Sequence, residues 1–261
     1  MSIRTTAILN LKGGVAKTTT TINMAAILAK DHKKRVLLID ADSQCNTTEF
    51  FGAEESADTM ATILRDAPLY DSPEAIAILS IQPTKYENVH LIPGDDSLMD
   101  LDLSSASQGV ADVNVLRSLV EAVRDHYDYV LIDCPPAFNA ASAASLVAAD
   151  DVVIPIKLDA FSLRGMTNLM RQIKNMRKLN PRLRLAGLLP TMWYKNDQIR
   201  ASEETLKAAG LHVFPHIRRS DKVDDMTFRQ EPLLISSPNS GAGVDYRKFV
   251  AEYMGGADHG L

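Results

Sequence analysis

Short continuous apolar runs alternate along this chain with segments whose apolar residues recur every three or four positions. Thr6–Leu9, Val36–Asp40, Val89–Ile92, Tyr129–Asp133 and Asp151–Ile156 are runs of the first kind. A run that is apolar on both of its faces suits a strand covered on both sides, and such strands belong to parallel sheets. Leu185–Leu189 and Val213–Ile217 predict two further strands. The recurring pattern predicts helices. They are Thr18–Lys30, with Ile22, Ala25, Ala26 and Ala29 inward, and Asp112–His126, with Val113, Leu116, Leu119, Val120 and Val123. A third is Ser162–Leu179, with Leu163, Met166, Leu169, Met170 and Ile173 inward and Arg171, Lys174 and Lys178 on its outer face. A last helix is predicted over Val244–Tyr253. Pro68, Pro73 and Pro83 divide residues 52–87 into short helical pieces around Thr59–Arg65 and Pro73–Leu79. The alternation predicts an α/β fold: a doubly wound, mostly parallel sheet flanked by helices, with ligands at the C-terminal strand ends. Residues 1–261 read as one domain, with 255–261 as a frayed tail.

Composition narrows the class. Hydrophobic residues make up 46% of the chain and charged residues 23%, ordinary for a globular protein. No run approaches the roughly 18 apolar residues of a membrane span, so no membrane partner is expected. The first strand opens so early that no signal peptide is expected. Two cysteines, Cys45 and Cys134, make neither a disulfide framework nor a four-cysteine metal site. The expected location is the cytoplasm. Net charge is −5, unevenly spread: Arg164–Lys222 holds 13 Lys+Arg against 4 Asp+Glu, and the remainder 15 against 29. An acidic body with a basic face is a candidate footprint for nucleic acid.

The run Leu11-Lys12-Gly13-Gly14-Val15-Ala16-Lys17-Thr18-Thr19 sits between the first strand and the first helix. A glycine-rich turn there aims backbone N–H groups at an anion, and the helix N-terminus adds its dipole. Lys17 would lie against the β/γ-phosphates, and the Thr18 hydroxyl would ligate Mg²⁺. Residues 12–19 form the candidate nucleotide loop. Leu11 and Ala16 stand where the general phosphate-loop pattern has glycine. A methyl at position 16 costs little at negative φ and about 1 kcal/mol or more at positive φ. Three aspartates, Asp40, Asp42 and Asp133, would emerge on the same sheet edge. Asp133 is the natural carboxylate for holding Mg²⁺ through water. Of Asp40 and Asp42, one would assist the metal and the other would orient or deprotonate attacking water.

Lys12, a second lysine ahead of the turn, resembles the deviant Walker A signature of the ParA/MinD family of ATPases, K-G-G-x-G-K-T, broken only at Ala16. Asp40-Ala41-Asp42-Ser43-Gln44-Cys45-Asn46-Thr47-Thr48 resembles the family's D-x-D-P-Q-G-N-x-T switch, with Ser43 and Cys45 as departures. Asp133-Cys134-Pro135-Pro136 resembles its D-C-P-P switch. Pro155 with Asp159–Gly165 resembles P-x-x-x-E-x-x-A-L-x-G, with Asp for Glu and Ser for Ala, and Pro238–Ala242 with Tyr246 resembles the C-terminal family segment.

The resemblance implies ATP and Mg²⁺ as ligands and a homodimer with ATP, in which Lys12 reaches the partner's phosphates. It implies that Asp42 orients the hydrolytic water and that Asp40 and Asp133 lie in the magnesium second shell. Adenine contacts are implied near Met192 and after Ile217. Non-specific double-stranded DNA is the implied polymer, with Arg218, Arg219 and Lys222 as first candidates and Arg247 and Lys248 behind them. A ParB-like centromere-binding protein is the implied partner, stimulating a slow ATPase on the nucleoid during plasmid or chromosome partition. The alternatives are a ParA-like ATPase that positions another cargo and a nucleotide-dependent binding module with little hydrolysis. The C-terminal residues lack the basic amphipathic helix of a MinD-like membrane switch.

Overall fold

A computed structural model describes residues 3–53 and 58–256, with the backbone alone for 160–164. The inward position expected of Leu163 and the tail residues 257–261 lie outside the described residues. Seven strands form one sheet: β1 (Arg4–Ile8), β2 (Val36–Asp40), β3 (Gln82–Pro83), β4 (Val89–Ile92), β5 (Tyr129–Asp133), β6 (Asp151–Lys157) and β7 (Arg184–Thr191). Their order is β3-β4-β2-β5-β1-β6-β7, parallel throughout except for β3. All five residues of β2 and of β5 are buried, which is why their sequence is apolar without alternation.

The helices are α1 (Lys17–Lys30), α2 (Asn46–Phe51), α3 (Met60–Asp66), α4 (Pro73–Ser80), α5 (Leu103–Ser107), α6 (Val115–Ala122) and α7 (Ala140–Ala148). After β6 come α8 (Ala160–Met176), α9 (Asp197–Ala208), α10 (Lys222–Arg229), α11 (Leu233–Ser236) and α12 (Gly241–Gly255). One face of the sheet packs on a core that includes Ile22, Ile27, Phe50, Met226, Tyr246 and Phe249, from α1, α2, α10 and α12. The opposite face packs on Ile63, Leu116, Leu119, Leu146, Leu169 and Ile173, from α3, α6, α7 and α8. Burial of these apolar faces is the main source of stability.

Two expectations are corrected. Val213–Ile217 is not a strand but an irregular segment beside β7, touching it through the isolated bridge Leu188↔Val213, with a second bridge, Trp193↔Arg218, just past the end of both. Pro215 lacks the N–H a regular ladder needs. The helix expected over Asp112–His126 is the shorter α6, because Asp112 and Asn114 form turns before it and His126 N–H bonds to Val123 O after it.

The crossover from β1 to β2 passes to one side of β1, and that from β5 to β6 passes to the other. The loop after β1 therefore opens at a switch point of the sheet, the usual place for a ligand crevice.

Candidate phosphate and magnesium site

The loop from Leu9 to Ala16 is shaped by a few specific contacts. The buried Asn10 amide donates to Pro155 O at 2.8 Å, and its oxygen accepts from Lys12 N at 3.0 Å. Thr191 Oγ1 donates to Val15 O at 3.1 Å, tying the loop to β7. Gly14 has φ +67°, and a Cβ built at Gly13 or Gly14 meets no atom within 4 Å. The loop is thus an open cradle with bare backbone facing it, as an approaching phosphate requires. Lys17 opens α1, is 7% exposed, and has its Nζ 3.5 Å from Lys12 O. Its ammonium is held at the cradle by the loop's own backbone.

Ala16 has φ +66° and Cys45 φ +53°. Both stand where the motifs they match usually carry glycine, and both keep the left-handed conformation that glycine adopts freely. Burial raises the Cys45 thiol to about 12, and the charges of Asp40, Asp95, Asp42 and Asp96 add to the rise, so it is a protonated, inert group at neutral pH. Replacing Ala16 by glycine should stabilise the loop by about 1 kcal/mol. Thermal unfolding should rise by about 2–4 °C; an unchanged or lower midpoint would show that the methyl carries no strain.

Asp40 and Asp133 are register partners at the ends of β2 and β5, both 0% exposed. Burial pushes both carboxyls above the usual range. The neighbouring Asp40 charge raises Asp133 further, while the hydroxyls of Thr18 and Thr47 draw it down. Asp133 Oδ2 accepts from Thr47 Oγ1 at 2.8 Å, whereas its Oδ1 is buried without a hydrogen-bond partner among the described residues. An orphaned carboxylate oxygen beside Thr18 fits a hydrated divalent cation. Asp40 is used differently. Its oxygens accept from Asp42 N, Thr48 N and Thr48 Oγ1, so it fixes the switch segment. Asp42 lines the open cavity, with Oδ1 accepting from Gln44 N at 3.1 Å.

The loop and Asp42 bound a cavity of about 820 Å³, and Lys12, Val15, Asp40 and Asp133 are not among the residues that line it. It brings together Gly13, Gly14, Ala16, Lys17, Thr18, Thr19 and Asp42 with Met192, Ile217, Arg218 and Arg219. The loop and the expected adenine positions thus share one space. Tyr194, Lys157 and Thr227 also line it. Tyr194 follows Met192 by two residues, a spacing that would have flagged it. Thr227 lies on α10, next to the buried Met226, where a threonine carries no signal of its own in the sequence.

The expected DNA contacts are in varied settings. Arg218 is on the cavity wall, paired in a bidentate manner with buried Asp245 at 2.7 and 2.9 Å, and is not a free surface cation. Arg247 Nε pairs with Asp31 at 2.9 Å, and Lys222 with Asp225 at 2.7 Å. Arg219 and Lys248 are exposed and form no ion pair among the described residues. In the basic span, Arg184 pairs with Asp151 and Lys207 with Glu203.

A phosphate cradle at a sheet switch point, a helix-starting Lys-Thr pair and a buried strand-end aspartate define a P-loop nucleotide-binding protein of the ATPase type. An AAA domain family matches residues 3–185. The chain is 35% identical over 248 residues to the chromosome partitioning protein ParA of Caulobacter vibrioides, covering 93% of this chain and 86% of that one. It is 34% identical over 250 residues to the sporulation initiation inhibitor protein Soj of Bacillus subtilis, covering 94% and 96%. Among solved structures it resembles the ATP complex of a Cyanothece McdA variant, with TM-score 0.81, 26% identity, and 97% and 96% coverage. It also resembles a cobyrinic acid a,c-diamide synthase of Mycobacterium smegmatis with bound ADP and magnesium, with TM-score 0.79, 25% identity, and 99% and 97% coverage. The chain belongs to the ParA/MinD family of P-loop ATPases. Among the described residues no helix is long and apolar enough to cross a membrane.

Proposed function

We propose that this protein is a partition ATPase: two ATP-bound protomers pair, bind double-stranded DNA without sequence preference, and release it after hydrolysis stimulated by a ParB-like, centromere-bound partner. The observation that carries the reading is Lys12. Its side chain is 39% exposed and its ammonium meets Asp159 rather than the cradle of its own loop, where Lys17 already stands. A second phosphate-directed lysine that does not serve its own loop is one that can serve a facing copy. Similarity to chromosome partitioning proteins along almost the whole chain supports the cellular role.

In this mechanism the cradle N–H groups and Lys17 hold the β- and γ-phosphates of ATP. Thr18 and Asp133 would hold a magnesium ion, which would supply positive charge against the phosphates. Asp40 keeps the switch segment in place, and Asp42 at the cavity wall orients the attacking water. Turnover is slow without the partner and takes place in the cytoplasm, on the nucleoid.

DNA contact falls to the exposed cations, with Arg219 and Lys248 the most available and Lys222 and Arg247 beside them. Neutralised phosphates make such binding fall steeply with salt. Fluorescence anisotropy with labelled DNA should therefore show salt-sensitive binding with ATP or a non-hydrolysable analogue, and little with ADP or no nucleotide. Equal binding in every nucleotide state would overturn the coupling. No binding in any state would favour the reading in which the ATPase positions a cargo other than DNA.

A further inference from the structure

We infer that the cleft between the end of α1, the turn joining β3 to β4, and α11 is an effector site for a small amphipathic organic anion, coupled through α10 to the nucleotide cavity. The cleft has a volume of about 290 Å³. That is near the lower bound for small-molecule sites and too little for a partner's helix, which is about 10 Å across. Its floor is apolar: Ala26 and Ala29 of α1, Phe51 of α2 and Leu234 of α11 are all buried. Ala26 and Ala29 are neighbours on one face of α1, so two methyl groups stand where longer side chains would fill the space. Phe51 and Tyr86 meet edge to face, with ring centroids 5.6 Å apart and planes at 88°, and give the floor an aromatic wall. The rim is charged. Lys30, Lys33 and Lys85 are exposed around it, against the single carboxylate of Glu87. Lys30 and Lys33 form no ion pair among the described residues. An apolar floor under an excess of lysines complements a ligand that joins one ring system or short chain to an acid group.

The rim also holds the helix that walls the nucleotide cavity. Lys85 Nζ and Tyr86 Oη both donate to Gln230 O, each at 3.0 Å. Gln230 caps α10 with φ +49°, and its side-chain amide donates to Glu49 O at 3.3 Å. The cleft is therefore tied to the C-terminal end of α10 and, through Glu49, to α2. Both helices reach the nucleotide cavity: Val223, Asp224 and Thr227 of α10 and Asn46 of α2 line it. An anion in the cleft competes with Gln230 O for the Lys85 ammonium, and a charged acceptor binds an ammonium more strongly than a neutral carbonyl does. The hold of the rim on α10 is then reduced to the Tyr86 hydroxyl, and the cavity wall loosens. By linkage, the anion and the nucleotide weaken each other by the same factor.

The test uses the full chain and the dye anilinonaphthalene sulfonate, an aromatic ring system with one acid group. In a first titration the nucleotide cavity is kept filled with ADP and magnesium. Saturable dye fluorescence is expected. The double variant Lys30→Gln/Lys33→Gln, altered only at exposed positions, should weaken dye binding several-fold, up to about 25-fold. Inorganic sulfate, which carries charge without apolar surface, should not displace the dye. In a second titration, by calorimetry, the dye should weaken ADP binding about fivefold or more and then level off once the cleft is full. Lys85→Gln breaks the bond to Gln230 O, so it should weaken ADP binding without dye and leave the dye little further effect. No saturable fluorescence, displacement by sulfate, or wild-type dye affinity in the double variant would overturn the site. ADP binding that the dye leaves unmoved, or weakens without limit as direct competition does, would overturn the coupling.

Discussion

Lys12→Ala is expected to abolish the ATP-dependent dimer while leaving nucleotide bound to the monomer. The two halves of this result follow from the division of labour between the lysines. Lys17, 7% exposed at the start of α1, supplies the cation for its own loop, and the backbone cradle around Gly13 and Gly14 is untouched by the substitution. Removing Lys12 removes a charge-assisted contact to phosphate from each side of the dimer. Such contacts are worth about 1.5–3 kcal/mol each, so two of them weaken pairing by at least a hundredfold. Nucleotide affinity and sedimentation should be measured on the same preparation. A dimer of wild-type strength would remove Lys12 from the interface. Loss of nucleotide binding as well would make it part of the protomer's own site.

The second large effect is expected at Asp42. Asp42→Ala should slow hydrolysis by about 100-fold or more, the range for loss of a group that positions or deprotonates water. It should also hold the protein on DNA in its ATP state. Asp42 suits the role because it faces the cavity and one of its oxygens is anchored by Gln44 N. Asp40, the same residue type two positions away, has its oxygens committed to Asp42 N and Thr48. The corresponding Asp40→Ala should loosen the whole switch segment and lower stability, which separates the two aspartates. Single-turnover phosphate release is the direct measurement. Wild-type release from Asp42→Ala would reassign the water to another group.

The chemistry of the site is legible in the sequence where one strand end or one loop carries it. Asp40 and Asp133 are readable because buried strands β2 and β5 are apolar along their whole length and then stop on a carboxylate. Which of Asp40 and Asp42 faces the ligand is not readable, since both follow the same strand and only the folded switch segment separates them. The conformational cost at position 16 is likewise conditional on a φ angle that no residue pattern supplies. Helix α7 is hidden for another reason: all nine of its residues are buried, so its Ala- and Ser-rich sequence has no polar face to set a period. Arg218 is exposed, as its sequence suggests, but its ion pair is hidden there because the partner, Asp245, is 27 residues away on α12.

The two margins of the sheet bear on how the protein behaves when copies of it are crowded together. At one margin β3 is only two residues long, runs against its neighbour and contains Pro83, which offers no N–H. At the other, β7 is screened by the irregular segment after His212, whose backbone takes up Leu188, Pro190 and Trp193. Neither side offers a long open ladder onto which another chain's strand could add. Molecules gathered at high local density therefore have little tendency to fuse strand to strand, and larger assemblies must be built from helix and loop surfaces. Contacts of that kind do not extend the sheet, so strand pairing would not lock neighbouring molecules together.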